Sequence, residues 1–214
     1  GVLGAGNYAQ AVFLPVIRKT GGAELAGIAT ASGMSAQQAA RKFGFGFAAT
    51  SEEEILTSPE INTVVILTRH QHHSRQVLKA LRNKKAVYCE KPLALNQAEL
   101  DEIEAELSSA DTPLLTVGYN RRFAPMAQQL AEFLKARSEP LFIQYRVNAG
   151  ALPMTHWLPD PLQGGGRIIG EGCHFIDFLT FLLGDTPMSV SAAALPDNEK
   201  YRQDNVQLTF RYPD

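Results

Sequence analysis

Two short segments of the chain carry residue types suited to holding a charged, nucleotide-like ligand. GAGNYA, from Gly4 to Ala9, has the spacing G-x-G-x-x-A directly after the strand residues Val2-Leu3 and before a helical pattern. At such a junction the first glycine permits a tight turn, and Gly6 lets the backbone approach a pyrophosphate held at the helix N-terminus. Gly4, Gly6, Asn7 and Tyr8 are therefore expected to line a dinucleotide site, with Ala9 small enough for close packing. The second segment is VYCEKPLAL, residues 87–95, in which a strand ends in Glu90-Lys91-Pro92. That places a cation at the carboxyl edge of a parallel sheet, where ligands bind in this architecture.

The choice of dinucleotide is set at the end of the second strand, where a carboxylate would bond the ribose hydroxyls of NAD. The sequence there is Ala29-Thr30-Ala31-Ser32-Gly33, so Thr30 and Ser32 occupy the position and no acid repels a 2′-phosphate. Arg41 and Lys42 follow about two helical turns later. NAD and NADP both stay open, with the expectation shifted slightly toward NADP or dual use.

Other reactive side chains receive plainer readings. His70, His72 and His73 lack a nearby cysteine or carboxylate to complete a zinc set, so no metal is expected. His73 is expected to face the cofactor cleft, and the other two to be polar loop residues. Cys89 and Cys173 are expected to be buried thiols without a redox role. Glu52, Glu53 and Glu54 read as the solvated start of a helix.

Composition narrows the partners. A net charge of −2 with interspersed signs provides no basic stripe for nucleic acid, so the expected partner is a small molecule. Two cysteines cannot build a disulfide framework and no leader pattern opens the chain, so a reducing cytoplasm is expected. FIDFLTFLLG is short and carries Asp177, which reads as a buried helix and not a membrane span. Both ends read as cuts within a longer polypeptide.

These groups need a scaffold, and the first half supplies alternating strand and helix signals. Strands are expected at Val2-Leu3, 23–30, 45–50, 61–68, 85–90 and 113–120. Between them lie helices at 9–20, interrupted at Pro15, then 35–43 with Ser35 as N-cap, 52–58, 73–84 and 96–110. This order implies an α/β fold with a doubly wound parallel Rossmann sheet over residues 1–120. Over 121–214 the pattern changes to a truncated α+β domain with a mainly antiparallel sheet. It comprises a helix at 125–136, a longer strand at 140–150, a Pro- and Gly-rich loop at 151–167, a helix at 171–184 closed by Gly184, and strands at 189–196 and 205–212.

WLPDPLQGGGRIIGEGCHFID, from Trp157 to Asp177, joins the two earlier segments in a wider pattern. Together they resemble the glucose-fructose oxidoreductase, inositol dehydrogenase and rhizopine catabolism (Gfo/Idh/MocA) oxidoreductase family. Trp157, Asp160, Pro161, Gly164, Gly165, Gly166, Gly172, His174 and Asp177 fall on matching positions. Thr68 and His73 fall where the family has T-P-N-x-x-H, with Arg69 and His70 replacing Pro and Asn. Asn120, Arg122 and Phe123 match the segment after the sixth strand.

The resemblance implies an NAD(P)-dependent oxidoreductase moving hydride to or from a hydroxyl or keto carbon of a sugar, cyclitol or related molecule. It implies Thr68, Arg69, His73, Glu90, Lys91 and Asn120 as further cofactor contacts, and Lys91, Arg122, Trp157, Glu171 and His174 as substrate contacts. It makes His174 the proton acceptor and Lys91 the group that stabilises charge on the same oxygen, so the two are expected to converge. It also implies a homo-oligomer for the full-length protein. The wording around 69–78 and 164–175 resembles a subgroup that fuses this unit behind a zinc alcohol-dehydrogenase-like half. One departure stands out: the family's acid four residues before the histidine is Gly170 here, with Glu171 beside it. Leu158 likewise stands where many relatives carry a basic side chain. The alternative is a non-catalytic NAD(P)-binding regulatory or scaffold protein of the same fold.

Overall fold

The computed structural model describes residues 1–199 and 205–213. It divides into two units, Gly1–Gly118 and Tyr119–Asp214.

Six short strands build the first unit: β1 (Val2–Leu3), β2 (Gly27–Ala29), β3 (Phe47–Ala49), β4 (Thr63–Ile66), β5 (Ala86–Cys89) and β6 (Leu115–Val117). All pair in parallel, in the order β3-β2-β1-β4-β5-β6. Successive strands are laid down outward in one direction from β1 to β3 and in the other from β4 to β6, so the topological switch point lies between β1 and β4, where ligands bind at the carboxyl edge of such sheets. The connecting helices are α1 (Leu14–Thr20), α2 (Gly33–Phe43), α3 (Glu52–Thr57), α4 (His73–Arg82) and α5 (Gln97–Leu107).

Adjacent strand residues feed opposite cores, as the pleat requires. Val2 and Ile28 pack with Leu14, Ala39 and Phe43, whereas Leu3, Ala29, Val64 and Ile66 pack with Ile55, Leu56, Val77, Leu81 and Ile103. A sheet covered on both faces explains the near-continuous apolar run of β4. Each sealed Leu or Ile contributes about 1.5–3 kcal/mol of hydrophobic stabilisation.

The helix starts follow local chemistry. A π-helical turn over Ala9–Phe13 leads into α1, and Pro15 sits in the first turn, where its missing N–H costs little. The expected N-cap of α2 is corrected: the helix begins at Gly33 with Ser32 as the capping position. Ser35 lies inside the first turn because its hydroxyl turns back to the Ser32 carbonyl at 2.9 Å. Ser51 caps α3 by accepting the Glu53 N–H at 3.1 Å. Asn96 caps α5 by accepting the Glu99 N–H at 3.0 Å, and the Glu99 carboxylate reaches back to accept the Leu95 N–H at 2.9 Å. Glu52 and Glu53 are more than solvated, since Arg75 and Lys79 of α4 pair with them.

In the second unit α6 (Pro125–Lys135) and α7 (Cys173–Leu183) pack through Ala131, Leu134, Leu182, Phe178 and Phe181. β7 (Ser189–Ala194) and β8 (Val206–Arg211) form an antiparallel pair. The expected strand at 140–150 is absent: those residues adopt no regular element. β-branched and aromatic composition makes a strand only where a neighbouring ladder satisfies the backbone. Among the described residues β7 and β8 pair only with each other, and Phe142 remains 90% exposed. Helical backbone starts earlier than expected, with a π-helical turn at Ile168–Gly172 that leads into α7, and α7 ends as expected at Gly184 with φ 75°.

Candidate functional site

The carboxyl edge of the first unit gathers most of the expected cofactor residues. Gly4 follows β1 with φ +98°, and a β-carbon there would lie 2.6 Å from the Leu67 carbonyl oxygen and 3.0 Å from the Thr68 nitrogen. The glycine turn therefore passes directly against the end of β4, at the topological switch point. Gly6 is the opposite case: a β-carbon there would meet nothing within 4 Å, and Gly6, Asn7 and Tyr8 are exposed. Open space beside Gly6, at the start of the helical turn, leaves room for a pyrophosphate.

The two glycines thus make separable predictions. Gly6→Ala should leave the melting temperature within a degree or two and weaken NAD(P)H binding by about tenfold, because a methyl group fills the pyrophosphate space. Gly4→Ala should instead lower the melting temperature by several degrees, on the order of 1–3 kcal/mol of backbone strain and overlap. Thermal melts and cofactor fluorescence titrations on both variants check this.

At the end of β2, the Thr30 hydroxyl donates to the Ser32 carbonyl at 2.6 Å and lies 2.7 Å from the Ser35 hydroxyl. Thr30 is half-buried and Ser32 exposed. At the end of β4, the Thr68 hydroxyl donates to Gln76 Oε1 at 2.7 Å, and Gln76 Nε2 donates to Glu52 at 2.8 Å. Arg69 is exposed beside it and precedes the 3₁₀ turn His70–His72.

At the end of β5, Glu90 accepts from the Tyr88 hydroxyl at 3.1 Å. Burial pushes the Glu90 carboxyl above its ordinary range, against the opposing pull of Tyr88, Lys91 and Tyr8. Burial also raises the Tyr88 phenol. Gly118 gives this pair room, since a β-carbon there would meet Glu90 Oε1 and the Tyr88 hydroxyl at 2.7 Å. Glu90 is thus a supporting residue around Tyr8 and Tyr88. Lys91, half-buried, starts the turn that follows, and the Lys91-Pro92 peptide is cis.

Two histidine expectations are corrected. His73 does not face a cleft; it is fully buried, with Nδ1 2.7 Å from the Pro92 carbonyl and Nε2 3.0 Å from the Thr68 carbonyl. The loops after β4 and β5 meet its ring through the Thr68 and Pro92 carbonyls, which spacing alone does not reveal. His70 is also buried, at 8% exposure, and its ring stands 5.7 Å from that of His73. Cys89 is buried and its thiol pKa pushed up by burial, whereas Cys173 is only partly buried, contrary to expectation. Among the described residues no group of three His, Cys, Asp or Glu is arranged to hold a metal, and no helix is long and apolar enough to cross a membrane.

The second unit holds Asn120, Arg122, Trp157, Glu171 and His174. The 3₁₀ turn Asn120–Phe123 is pinned to α7: Arg122 Nε donates to Asp177 at 3.2 Å, with a second bond from its Nη2, while Arg121 lies 4.7 Å over the Phe175 ring. Asp177 is therefore a partner of Arg122. Asp160 organises the glycine-rich loop by accepting the Leu162 N–H at 2.8 Å on its side chain and the Gly164 and Gly165 N–H groups at 2.9 and 3.0 Å on its carbonyl. Gly164 is obligatory there, as a β-carbon would lie 2.4 Å from the Leu158 backbone. This tight wrap delivers the chain into the π-helical turn and α7, and so sets His174 in the first turn of α7. Trp157 is half-buried beside His156, with ring centroids 5.7 Å apart. His174 is half-buried, with the Tyr119 ring edge-on at 6.3 Å. Tyr119, which spacing did not single out, has its phenol pKa raised by burial. Glu171 accepts from Arg167 at 2.6 Å, and Gly170 is buried.

Residues 1–119 match the model of an oxidoreductase family with an NAD-binding Rossmann fold, GFO/IDH/MocA. Residues 137–214 match the C-terminal domain of the same family. The chain is 33% identical over 199 residues to the 1,5-anhydro-D-fructose reductase of Ensifer adhaerens, covering 90% of this chain and 58% of that protein. It is similar to a biliverdin reductase of Synechocystis, solved with biliverdin and NADP+, at 26% identity and a TM-score of 0.76, over 94% of this chain and 63% of that one. A levoglucosan dehydrogenase solved with NADH and levoglucosan shares the fold, at a TM-score of 0.82 and 23% identity, over 99% of this chain and 63% of that one. The chain spans a little over half the length of the curated relatives it matches.

Proposed function

The chain belongs to the Gfo/Idh/MocA oxidoreductase family, and from that premise we propose that it serves an NAD(P)-dependent enzyme acting on a hydroxyl or keto carbon. The substrate class is a sugar, cyclitol or related polyol, in keeping with the anhydro-sugar named for the reductase relative. The observation that carries this reading is the open cradle at Gly6, set against the end of β4 by Gly4, with Lys91 on the same sheet edge.

Gly4, Gly6, Asn7 and Tyr8 would hold the pyrophosphate side of the cofactor, and Thr30 and Ser32 the adenosine ribose. Thr68, with its hydroxyl proton given to Gln76, presents lone pairs as an acceptor for a cofactor hydroxyl or amide. The nicotinamide, when bound, takes or gives the hydride. Lys91 donates a hydrogen bond to the reacting oxygen and stabilises the negative charge that develops there. His174 takes the hydroxyl proton during oxidation and returns it during reduction. The family pattern assigns Arg122, Trp157 and Glu171 to the substrate contacts and Asn120 to the cofactor contacts. Because no carboxylate stands at Thr30 to Ser32, the reading includes NADP or dual use.

A non-catalytic, cofactor-binding regulator is the second reading. Glu171 supports it, since its carboxylate is committed to Arg167 and no acid stands at Gly170. Rapid-mixing absorbance with NAD+ and NADP+ against a panel of polyols and anhydro-sugars separates the two. Reduction of either cofactor is the expected result; tight cofactor binding without reduction across the panel would favour the regulator. For the whole protein the reading includes a cytoplasmic homo-oligomer, supported by the exposed Phe142, Met188 and Val190 of the second unit.

A further inference from the structure

We infer that His73 is a positioning residue: its buried imidazole ties the start of α4 to the Glu90-Lys91-Pro92 turn after β5 and thereby sets where the Lys91 ammonium stands. The inference rests on the reading of Lys91 as the group that meets the reacting oxygen.

The geometry is local to the first unit. His73 opens α4 and has no exposed surface. Its two ring nitrogens face two main-chain carbonyl oxygens that belong to different loops, Pro92 at 2.7 Å and Thr68 at 3.0 Å. Those loops leave neighbouring strands, and Pro92 is the residue directly after Lys91. A histidine kept only for packing would need one nitrogen satisfied, and its partner would have no particular address. Here the shorter contact reaches the peptide next to the reactive lysine.

Two acceptors confront a ring that carries two N–H groups only when charged. Burial, the largest influence, holds the His73 pKa below its ordinary value, and the positive charge of His72 and Lys91 acts in the same direction. The two carbonyls act in the opposite direction. His70, from the preceding turn, is the remaining titratable ring in contact. The neutral ring has one N–H, which the inference places on Nδ1, the nitrogen nearer its carbonyl, donating to Pro92. Thr68 is then held by α4 through its own hydroxyl bond to Gln76, which Glu52 fixes in turn. The start of α4 therefore grips both loops, one through His73 and the other through Gln76.

The test uses His73→Leu, which keeps bulk and removes the donor, and His73→Gln, which keeps an N–H. In the whole protein, His73→Leu should lower kcat by about 10–100-fold with KM and cofactor Kd within about threefold, and His73→Gln should restore most of the loss. Acetylation of Lys91 by acetic anhydride, followed by mass spectrometry, should change in rate by about threefold or more in His73→Leu, with exposed Lys42 as the unchanged control. Nitrogen-15 shifts of the native ring should show Nδ1 protonated and Nε2 bare. A protonated Nε2 with bare Nδ1 overturns the inference, as does His73→Leu with native kcat and native Lys91 labelling. If His73→Leu does not fold, His73→Gln and the nitrogen shifts decide. If no substrate is turned over by the native protein, the hydride-transfer reading has failed, whereas the labelling and the shifts still decide the role of His73.

Discussion

Lys91→Met is expected to lower kcat/KM by about 10²–10³-fold while cofactor affinity stays within about threefold of native. Methionine keeps the length and apolar volume of the stem and removes only the ammonium, so the half-buried turn after β5 should hold its shape. The size of the effect follows from where the charge is needed. During oxidation the substrate oxygen becomes more negative as its proton leaves, and a fixed cation in a site of low effective dielectric is worth several kcal/mol there. Lys91→Arg should not restore the rate, because a planar fork on a longer stem cannot place one donor at the same point. Steady-state kinetics with a cofactor titration settle the matter. A fall confined to KM would mean that residue 91 binds substrate without touching the transition state.

The parts of this arrangement legible in sequence are those governed by short-range rules. The six parallel strands announce themselves because burial on both faces demands apolar runs such as that of β4. The glycine turn is legible because φ +98° at Gly4 excludes other residues. What escaped depends on partners distant in the chain. Residues 140–150 have strand composition but no ladder to join, and composition carries no information about that. His73 has the spacing of a cleft residue, yet Pro92, 19 positions away, captures its ring. Asp177 is paired with Arg122, 55 positions earlier, a contact that local spacing does not reveal. Ser35 failed as a cap for a smaller reason: a second serine three residues upstream competes for the same role, and only backbone angles decide between them.

His174→Ala should reduce kcat for alcohol oxidation by about 10²–10⁴-fold and change its pH dependence. A proton acceptor works only when neutral, so the native rate should climb as pH rises through the base's pKa and then level off. In His174→Ala that climb should vanish, leaving a low rate whose increase follows hydroxide alone; added imidazole should recover part of the loss. The chain differs from its family pattern behind this residue, with Gly170 in place of an acid and Glu171 bound to Arg167. Tyr119 stands edge-on to the ring at 6.3 Å and contributes to its orientation. Combining His174→Ala with Lys91→Met probes whether both act on one oxygen. Independent groups would multiply their losses, whereas groups that serve the same proton and charge should together cost little more than the worse single change. Fully multiplicative losses would assign the lysine and the histidine to different steps and would remove the shared oxygen from the proposed chemistry.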